Sequence, residues 1–130
     1  MVIFQAGGPI DVSLVRDQDI IFQQVASNEG NGYNAATGRF TCTVPGIYAF
    51  SLQHCVDRDR YSHVAIVKNG SRLMAGVAHG EQWWTCATVQ AYVRLQAGEQ
   101  VWARATWESY LHDDGERTNA LSGALIQRGN

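Results

Sequence analysis

The sequence has little charge, little proline and no long apolar run. Charged residues make up 17% of its 130 residues and the net charge is -2, so it lacks the basic surface that nucleic-acid binders and membrane-surface proteins use. Its longest apolar runs are about four residues, far short of the roughly 20 that a membrane-spanning helix needs. No secretory signal pattern opens it, so a secreted protein would be represented here by its mature part. These absences exclude nucleic-acid binding and membrane insertion as expected functions, and the 45% apolar content argues against disorder.

Cysteine is scarce too, and no Cys-x-x-Cys pair is present. Cys42, Cys55 and Cys86 are separated by 12 and 30 residues, which excludes zinc-ribbon and thioredoxin-type motifs. An odd count leaves at least one free thiol unless a bond runs between chains. We interpret the three as small buried residues, with one intrachain disulfide as the alternative.

The feature present throughout is an alternation of apolar and polar residues, combined with 13 glycines and 13 aromatic residues. This combination predicts short antiparallel strands joined by tight turns, packed as a sandwich or barrel. The clearest predicted strands are 47–56, 87–95 and 100–105, together with 61–68 and 71–77 joined by an Asn69-Gly70 turn. Weaker strand predictions are 2–5, 20–25, 38–43 and 120–127, and predicted loops are 7–19, 28–33, 57–60, 79–84 and 109–119.

One stretch carries a longer motif than simple alternation. It reads Tyr33-Asn34, then Thr37-Gly38-Arg39-Phe40, then Pro45-Gly46-Ile47-Tyr48-Ala49-Phe50. This stretch closely resembles the signature of the complement C1q globular-head family. Asn28 ahead of the tyrosine, the hairpin of residues 95–102 and the terminal segment 121–126 match in the same order. The resemblance covers residues 1–127.

The resemblance implies an all-β, ten-stranded jelly-roll sandwich, shared with the tumour-necrosis-factor superfamily. It also implies a single domain over residues 1–130, a homotrimer, and a secreted, extracellular location. Two departures are visible. The chain has no Gly-x-y collagen stalk, so it is a lone head or one cut out of a longer chain, and Ala120 and Ala124 stand where the family usually places larger aromatics. Packing near a trimer axis is therefore expected to differ.

No enzyme motif is present in the chain. It lacks the Gly-x-Ser-x-Gly elbow, the His-Glu-x-x-His helix motif, the Walker loop and the dinucleotide glycine triplet. His54, His63, His79 and His112 are far apart in sequence, unlike the His-x-His that a metal-dependent jelly-roll enzyme needs. We therefore predict a non-catalytic protein.

Aromatic residues beside polar ones form the candidate ligand site. Trp83 and Trp84 are adjacent, so on a strand one indole would face the core and the other would be exposed. An exposed indole offers a flat apolar face for the C–H side of a sugar, while nearby polar groups bond its hydroxyls. The alternative is that these rings pack in the core or a trimer interface. The predicted ligand-binding residues are His79, Glu81, Trp83, Trp84, Trp107, Tyr110 and His112.

Two short charged segments raise the question of a metal. Asp113, Asp114 and Glu116 place three carboxylates on a glycine-containing loop, where hard oxygen ligands could hold calcium. The alternative, which the pattern favours, is a solvated polar turn. Residues 57–60 alternate in charge sign, which is typical of a surface loop whose charges compensate one another.

The hypothesis from sequence is a lectin-like pattern-recognition protein of innate immunity that binds glycans or microbial surface ligands. Three heads would strengthen weak binding through avidity. The alternative is a trimeric signalling or scaffolding head that binds a protein receptor.

Overall fold

The computed structural model describes residues 1–130 and contains strands but no helices. Eight strands have six or more residues and five are short pairing segments. In chain order they are β1 (Ile3–Pro9), β2 (Ser13–Leu14), β3 (Asp19–Ile20), β4 (Phe22–Glu29), β5 (Tyr33–Asn34), β6 (Arg39–Thr41), β7 (Gly46–Val56), β8 (Tyr61–Lys68), β9 (Ser71–His79), β10 (Thr85–Leu95), β11 (Gln100–Ala105), β12 (Ser109–Tyr110) and β13 (Ala120–Arg128).

The long strands form two sheets that pack face to face as a jelly-roll sandwich. One sheet has five strands in the order β10-β7-β13-β1-β4, and the other has the path β5-β6-β11-β8-β9, with β3 also paired to β11. All ten pairings are antiparallel. The all-β prediction is therefore confirmed. No helix is present that is long and apolar enough to cross a membrane.

Alternation decides which side chains enter the core. In β7, Tyr48, Phe50 and Leu52 are buried, whereas the residues between them are partly exposed. β10 pairs with β7 over its whole length and buries Val89, Ala91 and Leu95 on the same side. Because successive strand residues point to opposite faces, both predicted apolar faces lie between the two sheets.

Aromatic rings form the centre of this core. Phe4 stacks on Tyr33 with ring centroids 4.9 Å apart and on Phe40 at 5.3 Å. Phe50 meets the edge of Phe40 at 5.6 Å, and Tyr48 stacks on Phe50 at 6.1 Å. Each such ring contributes a large buried area, and the offset and edge geometries add about 0.5–1.5 kcal/mol per pair.

The family-like signature has a structural explanation in the hydrogen bonds of its residues. The Asn28 side chain donates to the Tyr33 carbonyl at 2.8 Å and accepts from the Tyr33 amide at 3.1 Å. The Tyr33 hydroxyl donates to the Phe22 carbonyl at 2.5 Å, and burial raises the pKa of Tyr33 to about 12. The Tyr48 hydroxyl likewise donates to the Val44 carbonyl at 2.6 Å. These side chains therefore help to hold the core together.

The Asn69-Gly70 turn forms as predicted. Asn69 and Gly70 have φ values of 50° and 91°, which close a two-residue hairpin between Lys68 and Ser71. The Asn69 side chain also accepts from the Gln100 amide at 2.9 Å, which ties the turn to β11.

A second, small apolar cluster lies on the outer side of the six-stranded sheet. Trp102 is buried there with Ala65 and Val67. The Arg39 guanidinium lies 3.9 Å from the centroid of the Trp102 ring. The Trp102 indole N–H donates to Asp19 Oδ1 at 2.9 Å. The Asp19 carboxylate also accepts from Arg39 and Arg104, both at 3.3 Å. One carboxylate therefore holds in place the side chains around Trp102.

Several boundaries differ from the sequence prediction. The predicted strand 20–25 is two strands, β3 and β4, and β4 continues to Glu29 through part of a predicted loop. β9 extends to His79, so His79 lies on a strand and not in a loop. Cys55 and Cys86 form a disulfide while Cys42 is free and buried, so the alternative interpretation of the cysteines is the correct one. The two bonded residues lie directly opposite each other across β7 and β10.

Candidate functional site

The predicted ligand residues gather at one end of the sandwich, which we call the loop end. It is the end where β7 finishes at Val56, β8 begins at Tyr61 and β9 finishes at His79. The disulfide lies next to it and joins the end of β7 to the first residues of β10. Asn119, which is buried, donates from its side chain to the His112 carbonyl at 2.7 Å and accepts from the Cys55 amide at 2.7 Å. The loops at this end are thus fastened to the sheets.

Trp107 and Tyr110 line a groove of about 270 Å³ that sequence reasoning found only in part. Trp107 is 53% exposed and Tyr61, which the sequence analysis did not single out, is 46% exposed. We call this the Trp107 groove; its lining residues are Asp59, Arg60, Tyr61, His63, Trp107, Glu108 and Tyr110. It combines exposed rings with carboxylate, guanidinium and imidazole groups.

Trp83 lines a second groove on the other side of Tyr61. The Tyr61 and His79 rings stack with centroids 3.9 Å apart and planes 4° apart, and His79 is also part of this second lining. Trp83 is 72% exposed, and Nδ1 of His79 lies 3.8 Å from a Glu81 carboxylate oxygen. The Trp83 groove encloses about 240 Å³ and is lined by His79, Glu81, Gln82, Trp83 and Thr85.

Trp84 does not offer the exposed face that the sequence suggested. Trp83 and Trp84 lie in the loop before β10, within the loop predicted for residues 79–84, and Trp83 is the exposed one of the two. The guanidinium groups of Arg58 and Arg117 lie over the Trp84 ring at 4.9 Å and 5.1 Å, and the ring of His112 is 6.3 Å away. Trp84 is half-buried under these groups. It therefore holds two arginines in place and leaves Trp83 as the exposed indole.

The arginines of the loop 57–60 are held by aromatic rings and not by its aspartates. Arg60 lies over the Tyr110 ring at 4.4 Å, as Arg58 lies over Trp84. Neither guanidinium takes part in an ion pair. Cation–π contacts therefore fix these two side chains and leave their N–H groups free to bond a ligand. A central trough lies between the Trp107 groove and the Trp83 groove. Its lining residues are Asp57, Arg58, Asp59, Arg60, Glu81 and Gln82.

The acidic loop uses its carboxylates internally. Asp114 Oδ1 accepts from the amides of Glu116 and Arg117, both at 2.8 Å, and its Oδ2 lies 2.8 Å from His112 Nε2. These bonds, led by the Glu116 amide, hold the pKa of Asp114 far below its ordinary value. Asp113 accepts from the Asn119 amide at 3.0 Å. No three His, Cys, Asp or Glu side chains come together as a metal-binding group, and calcium at this loop stays a hypothesis beside the favoured solvated polar turn.

The match to a family model covers almost the whole chain. A model described as "C1q domain" matches residues 4–126. The chain belongs to the C1q domain family. Proteins with this domain are extracellular recognition and signalling modules and are not enzymes, which agrees with the non-catalytic prediction.

Relatives of the C1q domain share about a third of its residues. It is 35% identical over 109 residues to the mouse complement C1q and tumor necrosis factor-related protein 9, covering 81% of this chain and 29% of that one. It is 34% identical over 114 residues to the human complement C1q tumor necrosis factor-related protein 5, covering 85% and 46%. The chain thus spans less than half the length of these relatives.

Solved structures support the jelly-roll fold of this C1q domain. The globular domain of zebrafish complement 1qA superposes with a TM-score of 0.78 at 18% identity, covering 99% of this chain and 100% of that one. Murine APRIL at pH 5.0 superposes with a TM-score of 0.73 at 13% identity, covering 95% and 98%. The likeness to the complement and tumour-necrosis-factor-like folds confirms the predicted fold class.

Proposed function

We propose that this C1q domain is a lectin-like pattern-recognition module that binds glycans through the Trp107 groove. The observation that carries the proposal is the pairing of two exposed rings, Trp107 and Tyr61, with Glu108, Asp59 and Arg60 in one groove. Aromatic rings of this kind stack on the C–H face of a sugar, and carboxylates and guanidinium groups bond its hydroxyls. The disulfide supports an extracellular location, since such bonds persist in oxidising compartments.

The proposal is tested by measuring glycan binding before and after removal of the groove's indole. We expect Trp107→Ala to weaken binding of a sugar found on a glycan array at least tenfold, since tryptophans that act as binding hot spots contribute about 2 kcal/mol or more and tenfold corresponds to about 1.4 kcal/mol. Trp107→Phe should restore part of the affinity because it keeps a ring. Met74→Ala, at an exposed apolar residue of β9, is the matched control and should bind like the wild type.

Unchanged affinity in Trp107→Ala, with an unchanged melting temperature, would refute the site. An array with no saturable binding would refute the lectin function itself. That result would favour the alternative of a signalling head that binds a protein receptor.

We also propose that three copies assemble through the outer face of the five-stranded sheet. C1q and tumour-necrosis-factor-like proteins form trimers. Paired residues form one row across this face, in the order Tyr92, Ala49, Ala124, Ile3. Tyr92 is 74% exposed, while the alanines line a depression of about 300 Å³. The row offers a protruding ring beside a hole, which suits insertion into a second copy.

The trimer proposal is tested by the mass in solution. Light scattering should give about three times the 14.3 kDa of one chain. Ala124→Trp fills the hole, and Tyr92→Ala removes the protruding ring, so both should shift the mass towards one chain. A wild-type mass of 14.3 kDa at all concentrations would contradict the proposal.

A further inference from the structure

We propose that the ligand is a linear, neutral oligosaccharide that spans the whole loop end, with an aromatic subsite at each extremity. This inference rests on the proposed glycan-binding function and adds the class of ligand. Trp107 would hold one end of the chain and Trp83 the other. A monosaccharide would fill only one of the two grooves.

The two end grooves and the central trough share lining residues. The central trough shares Asp59 and Arg60 with the Trp107 groove. It shares Glu81 and Gln82 with the Trp83 groove. The three depressions are therefore contiguous, and a chain molecule can run from one indole to the other without leaving the surface.

A stacked pair of rings lies between the two grooves. Tyr61 belongs to the lining of the Trp107 groove and His79 to that of the Trp83 groove, while their rings stack at 3.9 Å. The two grooves are thus separated by one stacked pair of rings. Such a spacing suits subsites for units of a single chain, not two independent sites.

The lining changes from aromatic at both ends to polar in the central trough. The trough has no apolar lining residue, whereas each end groove presents an exposed indole. Its charges are mixed, because Arg58 and Arg60 lie among Asp57, Asp59 and Glu81. Mixed charge favours neither a polyanion nor a polycation, but its donors and acceptors match the hydroxyls of a neutral sugar.

Each end groove is small for a complete ligand site. The end grooves enclose about 270 and 240 Å³, below the roughly 300–1,000 Å³ typical of pockets that enclose a complete small ligand. The trough between them adds about 740 Å³. Each end is therefore too small for a complete site, whereas the joined path is not.

The experiment uses calorimetry with two sets of soluble oligosaccharides, β-1,4-linked N-acetylglucosamine and β-1,3-linked glucose, each of one, three and six units. We expect six units of at least one set to bind at least tenfold more tightly than one unit, with one ligand per chain. Trp83→Ala should remove most of this gain, whereas the control Met74→Ala should keep it. Trp107→Ala should weaken binding at every length, and Trp83→Phe should keep part of the gain.

Affinity that does not rise with length, or a gain that survives in Trp83→Ala, would overturn the extended site while leaving the lectin function intact. If neither set binds at any length, the extended site is overturned as stated. A simultaneous blank on the glycan array would then overturn the proposed function as well. A stoichiometry of one ligand per three chains would also overturn the extended site, since it indicates bridging between heads.

Discussion

His54 should make the domain lose stability as the pH falls from 7.5 to 5. Its ring is buried between the sheets, with Nδ1 2.9 Å from the Ser62 hydroxyl oxygen and Nε2 without a hydrogen-bond partner in the chain. Burial, followed by the charge of His63, lowers the pKa of His54 from 6.5 to about 4. The unfolded chain therefore takes up a proton, in this pH range, that the folded chain does not.

The size of the effect follows from the pKa difference. The stability that neutral His54 supplies is complete above pH 6.5 and is lost as the pH falls towards 4. The loss reaches about 2 kcal/mol at pH 5 and about 3.4 kcal/mol well below the folded pKa, since each pKa unit corresponds to about 1.4 kcal/mol. Against a typical stability of about 5–15 kcal/mol, this is a large fraction.

Denaturant unfolding followed by tryptophan fluorescence tests this prediction at pH 7.5, 6 and 5, at fixed protein concentration and without reductant. The wild type should lose about 2 kcal/mol over this range, while His54→Gln, which cannot ionise, should lose much less. Met74→Ala, at an exposed residue that carries no ionisable group, is the control and should show the pH dependence of the wild type. Equal pH dependence in His54→Gln and the wild type would refute the reasoning.

Two further predictions concern stability. Asp19→Asn should lower the free energy of unfolding by about 1–3 kcal/mol in a denaturant titration, because it removes the charged acceptor for Trp102 and two arginines. An unchanged free energy of unfolding would show that these contacts of Asp19 do not stabilise the domain. Replacing Cys55 and Cys86 together by serine should lower it by about 3–4 kcal/mol, given the sequence separation of 31 residues. A loss below about 1 kcal/mol in that variant would contradict a stabilising disulfide.

Much of the fold was predictable because its signals are local. The alternation in residues 87–95 and the Asn69-Gly70 turn each depend on neighbours in the chain, and both formed as expected. The cysteine pairing was not predictable in this way. It depends on the register between β7 and β10, which places Cys86 opposite Cys55 and which no spacing in the sequence specifies.

The candidate site was predictable only in part, for the same reason. Trp107 and Tyr110 were found as exposed aromatic residues, but Tyr61 and His63 join them from a strand about 45 residues earlier. The two-residue spacing of Tyr61 and His63 on β8 could have indicated that both rings lie on the same face of the strand. It could not indicate that Trp107 and Tyr110 lie beside them. The cover of Trp84 was not predictable for a similar reason, because Arg58 and Arg117 reach its ring from two other loops.

A glycan-array screen of the untagged protein, with calcium and again with chelator, tests the central claim most directly. We predict saturable binding to a coherent class of neutral glycans that is lost in Trp107→Ala. We also expect binding to survive the chelator, because Asp113 and Asp114 are engaged by donors of the chain itself. Loss with chelator would assign a metal to that loop. No binding at high protein concentration would contradict the lectin account.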